Sequence, residues 1–281
     1  MYKVAYFPGC SLSSTAKEYG VSTKLICKDL GIELVEIPDW VCCGATTAHI
    51  TSELMAVALP VKNLLMSEKQ NLPICSPCSA CFSRLKLADI EMKKNAQLKT
   101  AVTEVIGEEY RGTVDILHLW QVIKKYGDLK PKKELKGLKV ASYYGCLLTR
   151  PSSVCHDERI EDPQFLETIV ASLGAEKVQW NYKTECCGAA FSLTKTDIVR
   201  RLSGEILKDA MDAGADCIMV ACPLCHSNLD ARQGEMGLDF SLPVLYFTQL
   251  IGLGLGYGYR DLMLDKHFVK TKGLLETKGL V

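Results

Sequence analysis

Long apolar runs are missing from this chain: although 48% of its residues are hydrophobic, no stretch approaches the roughly 18 apolar residues that a spanning helix needs. No membrane span is expected. An excess of one charge is missing too, since 33 basic residues face 33 acidic ones. With no basic stripe interleaved with aromatics, nucleic-acid binding has no electrostatic footprint. Neither a Gly-x-Gly-x-x-Gly fingerprint nor a Walker loop occurs, so no nicotinamide, flavin or nucleotide site is expected in this chain. The amino terminus, Met1-Tyr-Lys-Val, lacks a basic segment followed by an apolar signal core, and a cytoplasmic location is expected.

Cysteine is what the chain has in excess, with 14 among 281 residues. In an intracellular protein, clustered cysteines point to metal or redox chemistry rather than to a disulfide framework. They fall into two like sets. Cys10, Cys42, Cys43, Cys78 and Cys81 form the first, and Cys146, Cys186, Cys187, Cys222 and Cys225 the second. Each set is a lone cysteine, a Cys-Cys-Gly and a Cys-x-x-Cys, with 34 residues between the pair and the Cys-x-x-Cys in both. The gap before the pair is 31 residues in one set and 39 in the other. A spacing repeated in this way marks one structural unit used twice.

The surrounding pattern repeats with it. Tyr2–Phe7 reads as a strand delivering Cys10 onto a glycine turn, and Leu138–Tyr144 does the same for Cys146. Ser13 or Ser14 is expected to cap a helix running to about Leu30, and Ile32–Ile37 to be the strand before the first pair. Apolar residues at Leu54, Ala58, Val61 and Leu65 predict an amphipathic helix, with Pro60 predicting a kink or a later start. Leu72–Cys75 and Asp216–Ala221 read as strands leading to each Cys-x-x-Cys. Pro223 suits a first helical turn, where the dipole favours thiolate. Strands alternating with helices predict an α/β fold of two pseudo-repeated domains, each a small, mostly parallel sheet flanked by helices, with the site at the carboxyl ends of the strands. The expected domains are 1–130 and 138–281. A charged, solvated linker over 131–137 is expected between them, and a tail after Gly252 that packs late or against a partner.

Soft thiolates select zinc, copper(I) or iron–sulfur clusters. Five sulfurs per set exceed what one zinc or a plain four-iron cubane uses. This favours iron–sulfur, with zinc and metal-free thiol chemistry as the alternatives. The remaining residues have blander readings. Cys27 and Cys217 are expected in the core, Cys75 as a structural neighbour and Cys155 as a non-ligand that competes with Cys146. His49 and His226 are either structural or donors toward the site. Lys195 and Arg150 are surface charges or attract an anionic thiol, and Trp40 is a packing residue.

Both sets resemble the CCG domain, and two tandem copies with no other cofactor motif resemble the B subunit of heterodisulfide reductase. The resemblance spans nearly the whole chain. It implies that each set binds a noncubane 4Fe-4S cluster through its five cysteines, and that a disulfide is split between the two clusters. By that resemblance, Cys10, Cys42, Cys43, Cys78 and Cys81 hold one cluster and Cys146, Cys186, Cys187, Cys222 and Cys225 the other, and the cluster irons are the catalytic groups. It also implies partners, namely a ferredoxin-like iron–sulfur subunit that is fed by a flavin-containing one, and a substrate such as the mixed disulfide of coenzymes M and B or a related thiol. Non-catalytic electron transfer in another oxidoreductase complex is the alternative, because CCG domains occur there as well.

Overall fold

The β-rich runs before each cysteine motif become short strands, and the central ones, with continuous apolar character, are buried as in a sheet covered on both faces. The computed structural model describes residues 1–45, 48–155 and 159–281, with the Cys155 side chain outside the described set. In the first half β1 (Tyr2–Tyr6), β2 (Ile32–Glu36), β3 (Ile74–Ser76) and β4 (Ile116–His118) form one sheet in the order β2-β1-β3-β4. In the second half β5 (Lys139–Tyr143), β6 (Glu176–Lys177), β7 (Cys217–Val220) and β8 (Val244–Tyr246) repeat the order as β6-β5-β7-β8. Every pairing is parallel. The expected α/β fold with two small parallel sheets flanked by helices is therefore what forms.

Parallel pairing needs a crossover between consecutive strands, and helices supply it. Helix Glu53–Gln70 starts at Ser52, whose side chain accepts the Met55 amide at 3.2 Å, and stops at Asn71 in the left-handed region. Pro60 is buried inside it, so the later start that Pro60 raised is not taken. Ser13 and Ser14 do not cap the next long helix. Their hydroxyls turn back to the Gly9 and Cys10 carbonyls at 3.2 and 2.7 Å, fastening a short helix, Gly9–Ser13, around Cys10. The long helix begins later and covers Lys17–Asp29.

That helix belongs to the other half of the molecule. The chain divides into one unit of Met1–Thr15 with Leu30–Asp128, and a second of Ala16–Asp29 with Leu129–Val281. In the second unit the Tyr19 ring stacks on Tyr246 at 4.1 Å between centroids and meets Phe247 edge-on at 6.1 Å. Ser22 and Thr248 share a buried hydroxyl–hydroxyl bond of 2.7 Å, and Ile26 and Cys27 are buried beside them in sequence.

The 131–137 stretch does not run free in solvent, although its lysines are largely exposed. The Lys132 and Lys133 amides donate to the Gly254 carbonyl, the Leu135 amide donates to Leu173, and Leu135 is fully buried. After Gly252 the chain packs on its own unit through Leu262, Leu264, Leu275 and Leu280. A Cβ on Gly252 would stand 2.4 Å from Leu262. Glycine is thus required where helix Phe247–Gly254 meets the returning chain.

Truncating the stacked ring that fixes helix Lys17–Asp29 tests this packing. Tyr19→Ala is expected to cost about 3–5 kcal/mol by chemical denaturation, as large aromatic deletions do. Lys28→Ala, on the exposed face, is expected to stay within about 0.5 kcal/mol.

Candidate metal centres

In a 2-1-3-4 parallel sheet the chain leaves the two central strands toward opposite sides, and the loops at that switch point enclose a crevice. The cysteines are threaded through these loops. In the first unit Gly9-Cys10 follows β1, Cys78 and Cys81 follow β3 at the start of helix Ser79–Lys94, and Cys42-Cys43 follows β2. In the second unit Cys146 follows β5, Cys222 and Cys225 follow β7, and Cys186-Cys187 follows β6.

The sulfurs of each set come together as free thiols. Cys43 Sγ lies 3.2 Å from Cys81 Sγ, and Cys187 Sγ lies 3.6 Å from Cys225 Sγ. Cys146 and Cys186 are 3.8 Å apart. Cys10 acts electrostatically on Cys42, and Cys78 hydrogen-bonds Cys81, so all five of the first set are linked. Cys222 is linked to Cys146 and Cys225 in the same way. The Cys10, Cys42 and Cys186 residues reach solvent, whereas Cys43, Cys78, Cys81, Cys187, Cys222 and Cys225 are buried.

Two glycines per set let the backbone close around the sulfurs. Gly9 has φ +70°, and a Cβ there would meet Cys81 Sγ at 2.9 Å; Gly145, at +64°, would meet Cys225 Sγ at 3.2 Å. Gly44 and Gly188, both left-handed, turn their amides toward Cys42 and Cys186 sulfur at 3.5 and 3.3 Å. Such donors favour thiolate. Hydrogen bonds from Cys42, then Cys81, pull the Cys43 thiol down to about 4, helped by the Ala45 amide and the Arg84 charge. A hydrogen bond from Cys146 pulls Cys186 down to about 6, helped by the Gly188 and Ala189 amides. Tyr143 faces the second set, and burial first, then the charges of Cys187, Cys225, Cys146 and Cys186, hold its hydroxyl in the neutral form. It donates to the Glu185 carbonyl at 2.7 Å.

Cys27 and Cys217 are core residues whose thiols burial pushes up, Cys27 to about 12. Cys75 is fully buried within β3. Any competition between Cys155 and Cys146 lies outside the described residues. His49 Nδ1 meets the Gly44 carbonyl at 3.3 Å, which gives it a structural bond at the first pair. Trp40 packs edge-on to Phe7 at 5.8 Å. Arg150 pairs with Glu161 at 2.9 Å, and Lys195 is exposed at the start of helix Thr196–Asp212.

Two buried polar networks lie beside the second set, one without a sequence signature and one around His226. Lys183 Nζ bonds Glu167 at 3.0 Å and Asp162 at 2.8 Å, Tyr144 donates to Glu167, and the Lys183 carbonyl accepts the Tyr144 and Gly145 amides. This network ties the turn before Cys146 to the approach to Cys186. The other involves His226, whose ring stacks on Tyr246 at 4.3 Å. Gln249 Oε1 accepts the Tyr246 amide at 3.0 Å, and its Nε2 donates to the Leu262 carbonyl at 3.1 Å, so Nε2 is a donor toward His267 Nε2 at 2.9 Å as well. The His267 proton therefore sits on Nδ1, which faces both His226 Nε2 at 2.9 Å and the Val244 carbonyl, an acceptor that also lies 3.1 Å from His226 Nε2. Asp230 completes a buried trio, but its oxygens accept the Phe268 and Val269 amides at 2.7 and 3.1 Å. Proton and amides fill the positions an ion would take, and the trio is a hydrogen-bond network.

A family model described as the cysteine-rich domain, CCG, matches residues 4–86 and 140–230. The 8-methylmenaquinol:fumarate reductase membrane anchor subunit of Wolinella succinogenes is 34% identical over 94% of this chain and 96% of its own length. The B subunit of the ferredoxin:CoB-CoM heterodisulfide reductase of Methanosarcina mazei is 32% identical over 96% of this chain and 95% of its own. A solved structure of a hypothetical protein from Helicobacter pylori superposes with a TM-score of 0.78 at 13% identity, over 96% of this chain and 52% of that one, and shows the fold alone. Among the described residues no helix is long and apolar enough to cross a membrane.

Two measurements test this geometry. Gly9→Ala is expected to displace Cys81 Sγ and lower metal retention at the first set, read by metal content. Gly31→Ala, left-handed but with open space around it, is expected to cost only about 1–2 kcal/mol and retain metal. Burial lowers His267 to about 4 from 6.5, so the unfolded chain binds the extra proton between those values and stability falls as pH drops through that window. The His267 part of the loss is about 3 kcal/mol, and thermal unfolding of His267→Gln is expected to lack that part while keeping the loss from the depressed His226 and the opposite contribution of the raised Asp230.

Proposed function

Since the chain belongs to the cysteine-rich CCG domain family, in its branch of heterodisulfide reductase B subunits, and is thereby an iron–sulfur oxidoreductase component of a larger complex, we propose that it is the component that reduces a disulfide to two thiols. The observation that carries this reading is the convergence of five sulfurs at each of two equivalent switch points.

The donor set fits the cofactor. Five soft sulfurs, most of them buried, with Cys43 in one set and Cys186 in the other lowered toward thiolate, suit iron–sulfur better than a four-ligand zinc. In this reading Cys10, Cys42, Cys43, Cys78 and Cys81 hold one noncubane 4Fe-4S cluster, and Cys146, Cys186, Cys187, Cys222 and Cys225 hold the second. Bound clusters supply one-electron transfer and iron with affinity for thiolate sulfur. The chain's own residues bind, orient and shield them. Gly9 and Gly145 let sulfur approach the backbone, and the Gly44 and Gly188 amides donate to thiolate sulfur. Tyr143 covers the second set and stays protonated.

The overall step is RS–SR′ + 2 e⁻ → RS⁻ + R′S⁻. One S–S bond breaks, each sulfur keeps an electron pair, and two one-electron sites together match the two electrons required. With no dinucleotide fingerprint in the sequence, electrons enter from other subunits, in this reading a ferredoxin-like iron–sulfur subunit that is fed by a flavin-containing one. The substrate is a small disulfide, of which the mixed disulfide of coenzymes M and B is the archaeal relatives' example. The Wolinella relative supports a second reading, in which the chain passes electrons within a complex without cleaving a disulfide.

The test is iron and acid-labile sulfide content with EPR on anaerobically purified protein, oxidised in the presence of candidate thiols. About eight irons and a paramagnetic signal that changes with the thiol are expected. Eight irons with a thiol-indifferent signal favour the electron-transfer reading; zinc without iron ends both.

A further inference from the structure

The two cysteine sites are built to one plan, yet they differ at the position one helical turn beyond the last cysteine. Residues three apart on a helix share a face, so this position looks back over the sulfurs. In the second unit it is Asn228, buried, whose Nδ2 donates to the Cys187 carbonyl at 3.2 Å and lies 3.7 Å from Cys187 Sγ. Its Oδ1 accepts the Ser192 hydroxyl at 3.0 Å, which fixes the amide with its NH2 toward sulfur. In the first unit the same position is Arg84, on helix Ser79–Lys94, half-buried and acting electrostatically on Cys43. Cys43 is the counterpart of Cys187. Among the described residues no carboxylate pairs with Arg84, as is also true of Arg111, Arg200 and Arg260, whereas Arg150, Arg159, Arg201 and Arg232 each have one.

A neutral amide and a full positive charge have different consequences for a redox centre. Adding an electron adds a negative charge, and cluster potentials respond to net charge and to hydrogen bonds at sulfur. A nearby unit charge acts more strongly than an amide dipole in a partly buried site. Resting on the reading that each set holds an iron–sulfur cluster, we propose that the two sites are electronically unequal, and that Arg84 raises the reduction potential of the first above that of the second. An electron delivered to the chain then settles first at the Cys43 site, and the second electron goes to the Cys187 site.

Anaerobic potentiometric titration of the full chain, followed by EPR, tests this. The native protein is expected to show two separate one-electron couples. Arg84→Gln is expected to move only the upper couple downward, by about tenfold in its electron-occupancy constant, which is about 59 mV for one electron. Arg84→Lys is expected to retain most of the offset, and Asn228→Ala to move only the lower couple. Arg84→Met, which keeps the apolar stem, reads the same loss of charge if the Gln variant does not load iron. Two coincident couples in the native protein, or an Arg84→Gln variant in which neither couple or both couples move, overturn the inference while leaving the cluster reading intact. Absence of iron from the native protein overturns the cluster reading and this inference with it.

Discussion

A parallel strand has to send its chain back across the sheet before the next strand begins, and where two neighbouring strands send it to opposite sides their exits are left facing one another. That constraint places the cysteines. β1 and β3 are neighbours in the first sheet and β5 and β7 in the second, and each exit carries cysteine. The sulfurs approach to 3.2 and 3.6 Å only because the exits turn through left-handed glycines that leave no Cβ in the way. Sheet order, glycine and cysteine thus form one device, and the helices outside it serve to hold the strands in register.

Much of this device was legible in the sequence because it is encoded locally. The repeated interval between Cys43 and Cys78, and between Cys187 and Cys222, can be counted without a structure, and the buried strands announce themselves as apolar runs. What escaped the sequence depends on contacts far along the chain. Ser13 and Ser14 have the right chemistry for a helix cap, but their hydroxyls found nearer carbonyls around Cys10. Lys183, Glu167 and Asp162 carry no local signal in the sequence, and only the fold buries the first two together. The glycine-rich stretch after Gly252 reads as a tail that packs late or against a partner, and no local pattern shows that Leu262 and Leu275 are buried in its own unit.

The two copies of the plan have kept their ligand pattern and exchanged their surroundings. Beside the first set the ring following the last cysteine is Phe82 against His118 at 5.7 Å; beside the second it is His226 against Tyr246 at 4.3 Å, with the histidine on the other partner. The turn before Cys146 is tied by a buried lysine and carboxylates, while that around Cys10 is tied by serines. Chemistry common to both sites therefore resides in the sulfur and glycine positions, and differences in behaviour between them reside in Arg84, Asn228 and the polar networks.

Helix Lys17–Asp29 has a consequence for how this molecule is assembled and inherited. Its residues are made first by the ribosome, yet Tyr246, Phe247 and Thr248, against which they pack, are made more than 200 residues later. During synthesis the helix must wait with its apolar side uncovered while the rest of the first unit emerges. The two copies also cannot be separated by a cut near residue 129. Such a cut strips the second unit of a helix and leaves the first with one that has nothing to cover. A duplication joined end to end has in this way become a chain in which one repeat carries a helix of the other, and neither is any longer free to be lost, shuffled or expressed by itself.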